Sequence, residues 1–272
     1  MAQPAPRFFV VARGAGMSDD AVKFEVDAGV ALVTLNRPPI NALNRETRRR
    51  LVAIFDEISE REDIRCAVLT GSGTVFCAGT DLKDRPAADV AGDFLEHNRI
   101  TRETGNAIRE CSKPVIAAVN GAALGAGLGL MAACDIMYAS ENATFGMPEI
   151  NVGLAGGASM LRTLFGRSTL RRMFFTGQRL TAQDLLRRNV LEDVLPAEEL
   201  LPAALALAQE IASKAPLAVV YAKRAANLVD LMPQRDAYRF EQDFTMALAK
   251  TDDAREARMA FLEKRQPNFK GR

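Results

Sequence analysis

The sequence predicts an α/β fold: short buried strands alternate with helices up to about residue 200, and only helices follow. Apolar runs that end at Gly, Asn or Pro recur through the first two thirds of the chain, with segments of helical spacing between them. After about Leu200 the apolar residues keep a helical spacing, and the connections at Ala215-Pro216 and Met232-Pro233 are short. This pattern favours a mixed strand-and-helix core with a helical C-terminal region.

The first predicted elements are a hairpin and a helix. Apolar residues at 22–26 and 30–35 are separated by Asp27-Ala28-Gly29, which is typical of a turn. Asn36-Arg37-Pro38-Pro39 ends the second strand. A helix is predicted from Asn44, with a polar, arginine-rich face opposite its apolar positions, which are Leu51, Ile54, Phe55 and Ile58.

The later elements complete the architecture. Short buried strands are predicted at residues 66–70, 114–119 and 135–139, and a helix of small residues precedes the last of them. C-terminal helices are predicted at 200–214, 218–229, 234–249 and 252–263. We therefore divide the chain into a loose extension at residues 1–16, expected to be disordered, a core at 17–200 and a helical region at 201–272.

Composition excludes several classes of function. The 35 Lys and Arg residues nearly balance the 34 Asp and Glu residues, so the chain lacks the charge of a nucleic-acid-binding protein. Its four cysteines lie far apart with no C-x-x-C pair, and they are expected to be buried thiols in a reducing compartment, the cytoplasm. A single histidine excludes any site that needs two of them, and no metal site is predicted.

One uncharged stretch requires a check against a membrane span. Between Lys113 and Asp135 lie 21 uncharged residues, which is long enough to cross a bilayer. They are mostly small, and Asn120-Gly121 is a turn signal within them, so a strand, a turn and a helix fit better than a span. The glycines are not a dinucleotide-binding fingerprint, because Leu130 stands where the last glycine would be needed.

Two segments are suited to expose backbone amides. One is FCAGTDL at 76–82, after a predicted strand, and the other is NGAALGAG at 120–127, a strand-to-helix turn. A helix N-terminus presents free N–H groups, and two N–H groups that converge on one oxygen form an oxyanion hole. Each segment alone is equally explained as a tight turn in which glycine relieves steric strain.

Several motifs occur together in one order along the chain. They are Asn36-Arg37-Pro38 with Asn41-Ala42-Leu43-Asn44, FCAGTDLK at 76–83, KPVIAAVNGAALGAG at 113–127, FGMPE at 145–149 and FLEKRQPNFK at 261–270. In this combination the chain resembles the crotonase superfamily, the enoyl-CoA hydratase/isomerase family. The resemblance implies an α/β, crotonase-like spiral of ββα units with a C-terminal helical trimerisation region, assembled as a homotrimer or a dimer of trimers. It also implies an acyl-CoA substrate, with no metal and no cofactor beyond its coenzyme A.

Carried over by motif position, the resemblance implies that the backbone N–H groups of Thr80 and Ala126 hold the thioester oxygen. It implies that Glu149 is the catalytic acid–base group. The Thr80 side chain either crowds the pocket or adds a hydroxyl to it. Residues implied to contact the substrate are Ile40, Ala42, Ala78, Asp81, Leu82, Gly125 and Pro148. Asp81 is also explained by a local role, because short carboxylates often accept from nearby N–H groups.

Hydration in this family implies a second glutamate, which would fall at Gly129 in this chain. With one acid–base group, we expect a double-bond shift in an enoyl-CoA thioester. A hydratase or dehydratase with a second acid elsewhere, and a non-catalytic acyl-CoA binder, remain as alternatives. His97 is expected to be an exposed helix residue without a catalytic role.

Overall fold

The structure is a computed structural model that describes residues 21–87, 89–229 and 231–272. The extension predicted at residues 1–16 lies outside these residues. The strands are β1 (Val22–Asp27), β2 (Val30–Leu35), β3 (Cys66–Gly71), β4 (Val115–Val119), β5 (Ala123–Leu124), β6 (Ile136–Ser140), β7 (Thr144–Gly146), β8 (Arg179–Thr181) and β9 (Asp193–Leu195). The helices are α1 (Arg45–Glu60), α2 (Asp93–Glu110), α3 (Ala126–Ala133), α4 (Ala158–Leu161), α5 (Arg167–Thr176), α6 (Ala182–Leu186), α7 (Ala197–Ala212), α8 (Pro216–Val229), α9 (Gln234–Leu248) and α10 (Asp252–Glu263).

The main sheet has the strand order β1-β2-β3-β4-β6-β9. Strands β1 and β2 pair antiparallel, which confirms the predicted hairpin, and every following pair is parallel. Parallel neighbours place their carboxyl ends at the same edge of the sheet, where ligands bind in open α/β sheets. Helix α1 begins where predicted, because the Asn44 side chain accepts from the backbone N–H of Thr47.

Both faces of the main sheet are apolar. On one face Ala31, Val33 and Leu35 pack into the large core with α1. On the other face Val30 and Leu32 join a second cluster, whose further buried members are Cys66, Val68, Ile116, Ala118, Leu200, Ala204 and Ala208. Because side chains alternate along a strand, β2, β3 and β4 each contribute to both clusters.

Helix α7 covers this second face. This helix belongs to the helical C-terminal region, yet it packs against strands of the core and not only against other helices. Leu200, Ala204 and Ala208 recur every four residues along α7 and are buried against the sheet. The reason is that a parallel sheet with two apolar faces needs a cover on each of them.

Helix α8 is tied to the core through one buried lysine. Lys223 Nζ lies 2.8 Å from a carboxylate oxygen of Asp135. It also donates to the carbonyl oxygens of Ile108, at 3.3 Å, and Lys113, at 3.0 Å. Since an ammonium has three protons to donate, these acceptors satisfy it although its side chain is only 4% exposed.

A small second sheet and two isolated bridges bring together several segments that follow strands of the main sheet. Its order is β5-β7-β8, with β5 and β7 parallel. Isolated parallel bridges join Leu43 to Thr80 and Cys77 to Ala123. The segments that contain these residues therefore run side by side at one edge of the fold.

No single helix among the described residues is long and apolar enough to cross a membrane. Helices α7 and α8 reach that length and apolar composition only together, with a bend of 111° between them. The uncharged stretch between Lys113 and Asp135 forms β4, a turn and α3, as predicted, and the short strand β5 in addition.

Candidate active site

The loop that precedes α1 is held in place by two side chains. Asn41 is 2% exposed, and its amide donates to the carbonyl oxygens of Ser72, at 3.0 Å, and Val75, at 2.7 Å. Arg37 donates to the Ala42 carbonyl oxygen, at 3.0 Å, and to the Asp81 carboxylate, at 2.6 Å. These bonds hold the loop beside the segment that contains Thr80.

Asp81 has the local role that its residue type suggests. Its carboxylate accepts from the backbone N–H of Lys83 at 3.0 Å and forms the ion pair with Arg37. The Lys83 N–H bond is the main reason that the pKa of the Asp81 carboxyl is lowered, and Arg37 adds to the effect. Asp81 therefore serves to order its own loop, and its contact with a substrate stays a prediction.

The two proposed oxyanion donors have free backbone N–H groups. On either side of Thr80, the N–H of Leu43 donates to Gly79 and the N–H of Asp81 donates to Leu43, so the bridge leaves the Thr80 N–H unused. Ala126 is the first residue of α3, where a helix has no internal acceptor for its N–H groups. Neither N–H has an acceptor within residues 21–87, 89–229 and 231–272.

Gly79 lets these two donors lie close together. Its φ is +102°, and a Cβ built on it would stand 2.9 Å from the Leu124 carbonyl oxygen and 3.5 Å from the Ala126 nitrogen. Only a residue without a side chain permits both the backbone conformation and the contact. The sequence feature interpreted as a tight turn is therefore also the point where the two amide-bearing segments meet.

The Thr80 side chain points to helix α1. Arg48 Nη2 donates to Thr80 Oγ1 at 2.8 Å. The sequence left two alternatives for this side chain, crowding of the pocket or an added hydroxyl. In the structure its hydroxyl accepts a hydrogen bond from a guanidinium. Arg48 itself was missed, because the arginines of α1 were all assigned to the polar face. Its position three residues before Leu51 and seven before Phe55 was the available signal for the buried face.

Glu149 lies against the start of α3. It is in a 3-10 helix (Pro148–Val152) that follows β7, and the Gly125 N–H donates to the Gly146 carbonyl oxygen at 2.9 Å. Gly125 has a φ of +53°, and a Cβ built on it would be 2.2 Å from Glu149 Oε1. The absence of a side chain at Gly125 thus makes room for the carboxylate next to the Ala126 N–H.

The Glu149 carboxylate is poorly compensated by its surroundings. Its Oε2 atom is buried and has no hydrogen-bond partner in the described part of the chain. Burial raises the pKa of this carboxyl, because the charged form is disfavoured away from water. A half-buried carboxyl with a raised pKa is a stronger proton acceptor than an exposed one, which suits a group that accepts and returns protons.

The other predicted contact residues flank these groups. The Ala78 N–H donates to the Ile40 carbonyl oxygen at 3.0 Å, which places Ile40 beside the Thr80 segment. Ile40 and Leu82 are large apolar side chains that stay exposed. Ala42 and Pro148 are half-buried, and Pro148 directly precedes Glu149. The roles of these residues in substrate binding stay predictions.

Position 129 is filled by a neighbouring side chain. A Cβ built on Gly129 would lie 2.7 Å from the terminal methyl carbon of Met160, which is also 3.3 Å from a Cβ built on Gly105. The space beside Gly129 is therefore occupied by the end of the Met160 side chain. The methionine of α4 packs between α2 and α3, and Gly105 and Gly129 both leave room for it.

His97 differs from its predicted environment. It is half-buried rather than exposed, and its Nδ1 atom has no hydrogen-bond partner among the described residues. Burial, assisted by the charges of Arg48 and Arg45, lowers the pKa of the imidazole. The packing of α2 on α1 explains the difference, because it turns this residue toward the arginines. In the described ranges, no group of three or more His, Cys, Asp or Glu side chains is arranged to hold a metal ion.

Comparison with known proteins identifies the family of this chain. A family model for enoyl-CoA hydratase/isomerase matches residues 25–272. The crystal structure of an enoyl-CoA hydratase from Bacillus anthracis superposes with a TM-score of 0.87 at 32% identity, covering 93% of this chain and 100% of that chain. The chain therefore belongs to the enoyl-CoA hydratase/isomerase family, has the crotonase fold, and is an enzyme of acyl-CoA metabolism by class.

Curated relatives are similar over nearly their whole length. The 2,3-dehydroadipyl-CoA hydratase of Escherichia coli is 38% identical over 247 residues, which are 89% of this chain and 96% of that protein. A (7aS)-7a-methyl-1,5-dioxo-2,3,5,6,7,7a-hexahydro-1H-indene-carboxyl-CoA hydrolase of Mycobacterium tuberculosis is 35% identical over 238 residues, which are 88% of this chain and 96% of that protein. Relatives at similar identity thus carry names of different reactions.

Replacing Glu149 by Gln is expected to stabilise the fold at neutral pH, by about 1 kcal/mol. In the native state the pKa is raised above its unfolded value, so ionisation of the buried carboxyl opposes folding above the native pKa. Below the unfolded pKa both states are protonated, and the difference should disappear. Urea unfolding of both proteins at pH 8 and at pH 4 measures this, and a Gln variant that is less stable at pH 8 contradicts it.

Proposed function

We propose that the protein shifts the double bond of an enoyl-CoA thioester between the 3- and 2-positions, using Glu149 as its acid–base group. The proposal is supported above all by one observation. Glu149 Oε1 lies against Gly125 beside two unused backbone N–H groups, whereas position 129 offers Gly and a methionine methyl in place of a second carboxylate.

The proposed reaction needs one base and one oxyanion hole. The thioester oxygen accepts from the N–H groups of Thr80 and Ala126. Glu149 takes a proton from carbon 2 of the 3-enoyl group, and the electron pair moves onto the thioester oxygen to form a dienolate. The same carboxyl then returns the proton to carbon 4, which leaves the double bond at position 2. The two N–H groups favour this path because they stabilise charge that develops on the oxygen.

Hydration of an enoyl-CoA is the second candidate. It is favoured by the names of relatives, since both the Escherichia coli protein and the Bacillus anthracis structure are called hydratases. In this case an acid other than residue 129 has to supply the second proton transfer. A non-catalytic acyl-CoA binder is a third candidate, but a buried carboxyl without a partner at Oε2 is a disadvantage that a binder has no need to maintain.

Replacing Glu149 by Gln should lower turnover by about 10²-fold or more while thioester binding is retained. Gln has nearly the same shape but cannot take a proton. The measurement is deuterium exchange at carbon 2 of a saturated acyl-CoA, together with isomerisation of a 3-enoyl-CoA and hydration of crotonyl-CoA. Wild-type protein that binds these thioesters without exchanging the proton would be a binder, and a fully active Gln variant would exclude Glu149 as the base.

Replacing Gly129 by Glu should raise the ratio of hydration to isomerisation by about tenfold. This is less than the roughly 10²–10⁴-fold that a well-positioned acid–base group contributes, because no neighbouring group holds the new carboxylate in place. The new side chain has to displace only the end of Met160, which is flexible. Gly129→Gln is the matched control, because it displaces the same methyl but adds no titratable group. An equal ratio in the Glu and Gln variants, or efficient hydration of crotonyl-CoA by wild-type protein, contradicts the role given to position 129.

We also propose that the chain assembles as a homotrimer or a dimer of trimers through its C-terminal helices. In a single chain, several large apolar side chains of this region stay exposed, namely Leu231, Tyr238, Met246, Phe261 and Leu262. Exposed apolar groups in such number favour a protein interface. A cytoplasmic location stays a prediction that is supported by the free, buried thiols of Cys66, Cys77, Cys111 and Cys134.

Light scattering should therefore give three or six times the mass of one chain at micromolar concentration. The most exposed of these side chains is Phe261, at 83%, and Phe261→Asp should lower the mass because a carboxylate cannot be buried in an apolar interface without a partner. Replacing Lys264, which is also exposed, by Asp is the control for added charge on the same segment. A monomeric mass for wild-type protein contradicts the proposal.

A further inference from the structure

Arg48 is a buried cation with no carboxylate partner. Its residue is 2% exposed, and no Asp or Glu in the described part of the chain forms an ion pair with it. Its Nε atom is buried and has no hydrogen-bond partner among those residues. Burial lowers the pKa of the guanidinium, yet an arginine remains charged at neutral pH. The positive charge at this place is therefore retained, and no carboxylate in the described part of the chain contacts it.

The neighbouring arginines Arg45 and Arg49 on α1 differ from Arg48 because they form ion pairs. Arg45 forms an ion pair with Asp93 and lies near Asp84, and Arg49 forms one with Glu96. The side chain of Arg49 is also 53% exposed, so water and salt screen its charge. Asp84 acts on Arg48 only through its charge, because its carboxylate accepts from the backbone N–H of Arg45. Arg48 alone of these three arginines is both buried and without an ion pair in the described ranges.

The contact of Arg48 is with a residue of the oxyanion hole. Nη2 donates to Thr80 Oγ1 at 2.8 Å, and the N–H of the same threonine is one of the two free donors. Only Thr80 thus separates the guanidinium from the proposed position of the thioester oxygen, where negative charge develops. In surroundings that exclude water, a charge at this distance acts far more strongly than on the protein surface.

We propose that Arg48 is a positioning residue of the oxyanion hole: its bond to Thr80 holds that donor in place, and its charge, which no direct ion pair neutralises, stabilises the enolate. The inference rests on the proposed function, since it needs an enolate at the Thr80 and Ala126 N–H groups. The alternative is that Arg48 only stabilises the fold by tying α1 to the Thr80 segment. Measuring the stability of a bound enolate distinguishes the two roles, because a purely structural role would leave it unchanged.

The test uses acetoacetyl-CoA, a thioester whose enolate absorbs in the near ultraviolet while its keto form does not. Titration of the bound ligand with pH gives the pKa of its enolisation without any turnover. Arg48→Met replaces the cation by an apolar side chain, a change that buried charged sites often tolerate. We expect about tenfold less enolate at a given pH in this variant, with ligand affinity changed less than the enolate fraction. Arg48→Lys, which keeps the charge, should restore part of it.

Arg49→Met is the matched control, because it removes a neighbouring arginine whose charge is paired and exposed, and it should leave the enolate fraction unchanged. Should Arg48→Met not fold, Thr80→Val and Thr80→Ser replace it. Val removes the acceptor of the Arg48 bond and should lower the enolate fraction more than Ser, which keeps the hydroxyl. Both Thr80 variants keep the backbone N–H.

Two failures can be told apart. If wild-type protein stabilises the bound enolate and Arg48→Met does so equally, the role of Arg48 is overturned and the oxyanion hole is retained. If wild-type protein binds acetoacetyl-CoA without lowering the pKa of its enolisation, the oxyanion hole and the proposed function are overturned, and the role of Arg48 with them.

Discussion

The arrangement of the site depends on the close approach of two backbone segments, one before α3 and one after β7. The pairing of β5 with β7 continues through the bond from the Gly125 N–H to Gly146, so the start of α3 and Glu149 are placed by the same ladder. Gly125 makes this possible, because any side chain would meet the Glu149 carboxylate. Moving either segment by one residue would separate the carboxylate from the free N–H of Ala126.

Charges around the site are compensated unevenly. Asp81 is held by Arg37 and by a local N–H, so it orders a loop without adding a net field. Glu149 and Arg48, in contrast, each have a buried polar atom without a partner in the described part of the chain. Burying charge without an ion-pair partner opposes folding. Such positions are common at functional sites, where they serve the reaction at a cost to the stability of the fold. Glu149 lies beside the segment that carries the Ala126 N–H, and Arg48 lies beside the segment that carries the Thr80 N–H.

Much of the fold followed from local patterns. The hairpin, α1 with its Asn44 cap and the short buried strands were predicted with nearly correct ends, because turn residues and apolar periodicity act over a few residues. The glycine-rich segments were also identified, although composition alone left them ambiguous between tight turns and amide donors. The match of residues 25–272 to the family removes the doubt about fold and enzyme class, while the kind of reaction remains a proposal.

The sequence by itself determined which groups are available: a carboxylate at 149, glycines at 79 and 125, and no carboxylate at 129. Only the tertiary structure decided where three side chains lie. Arg48 is buried beside Thr80, Met160 occupies the space at Gly129, and Leu200 of α7 covers a sheet face. Each of these contacts joins residues that are more than thirty positions apart in the chain or on different elements. Local periodicity carries no information about them, because it describes one element and not the neighbour that packs against it.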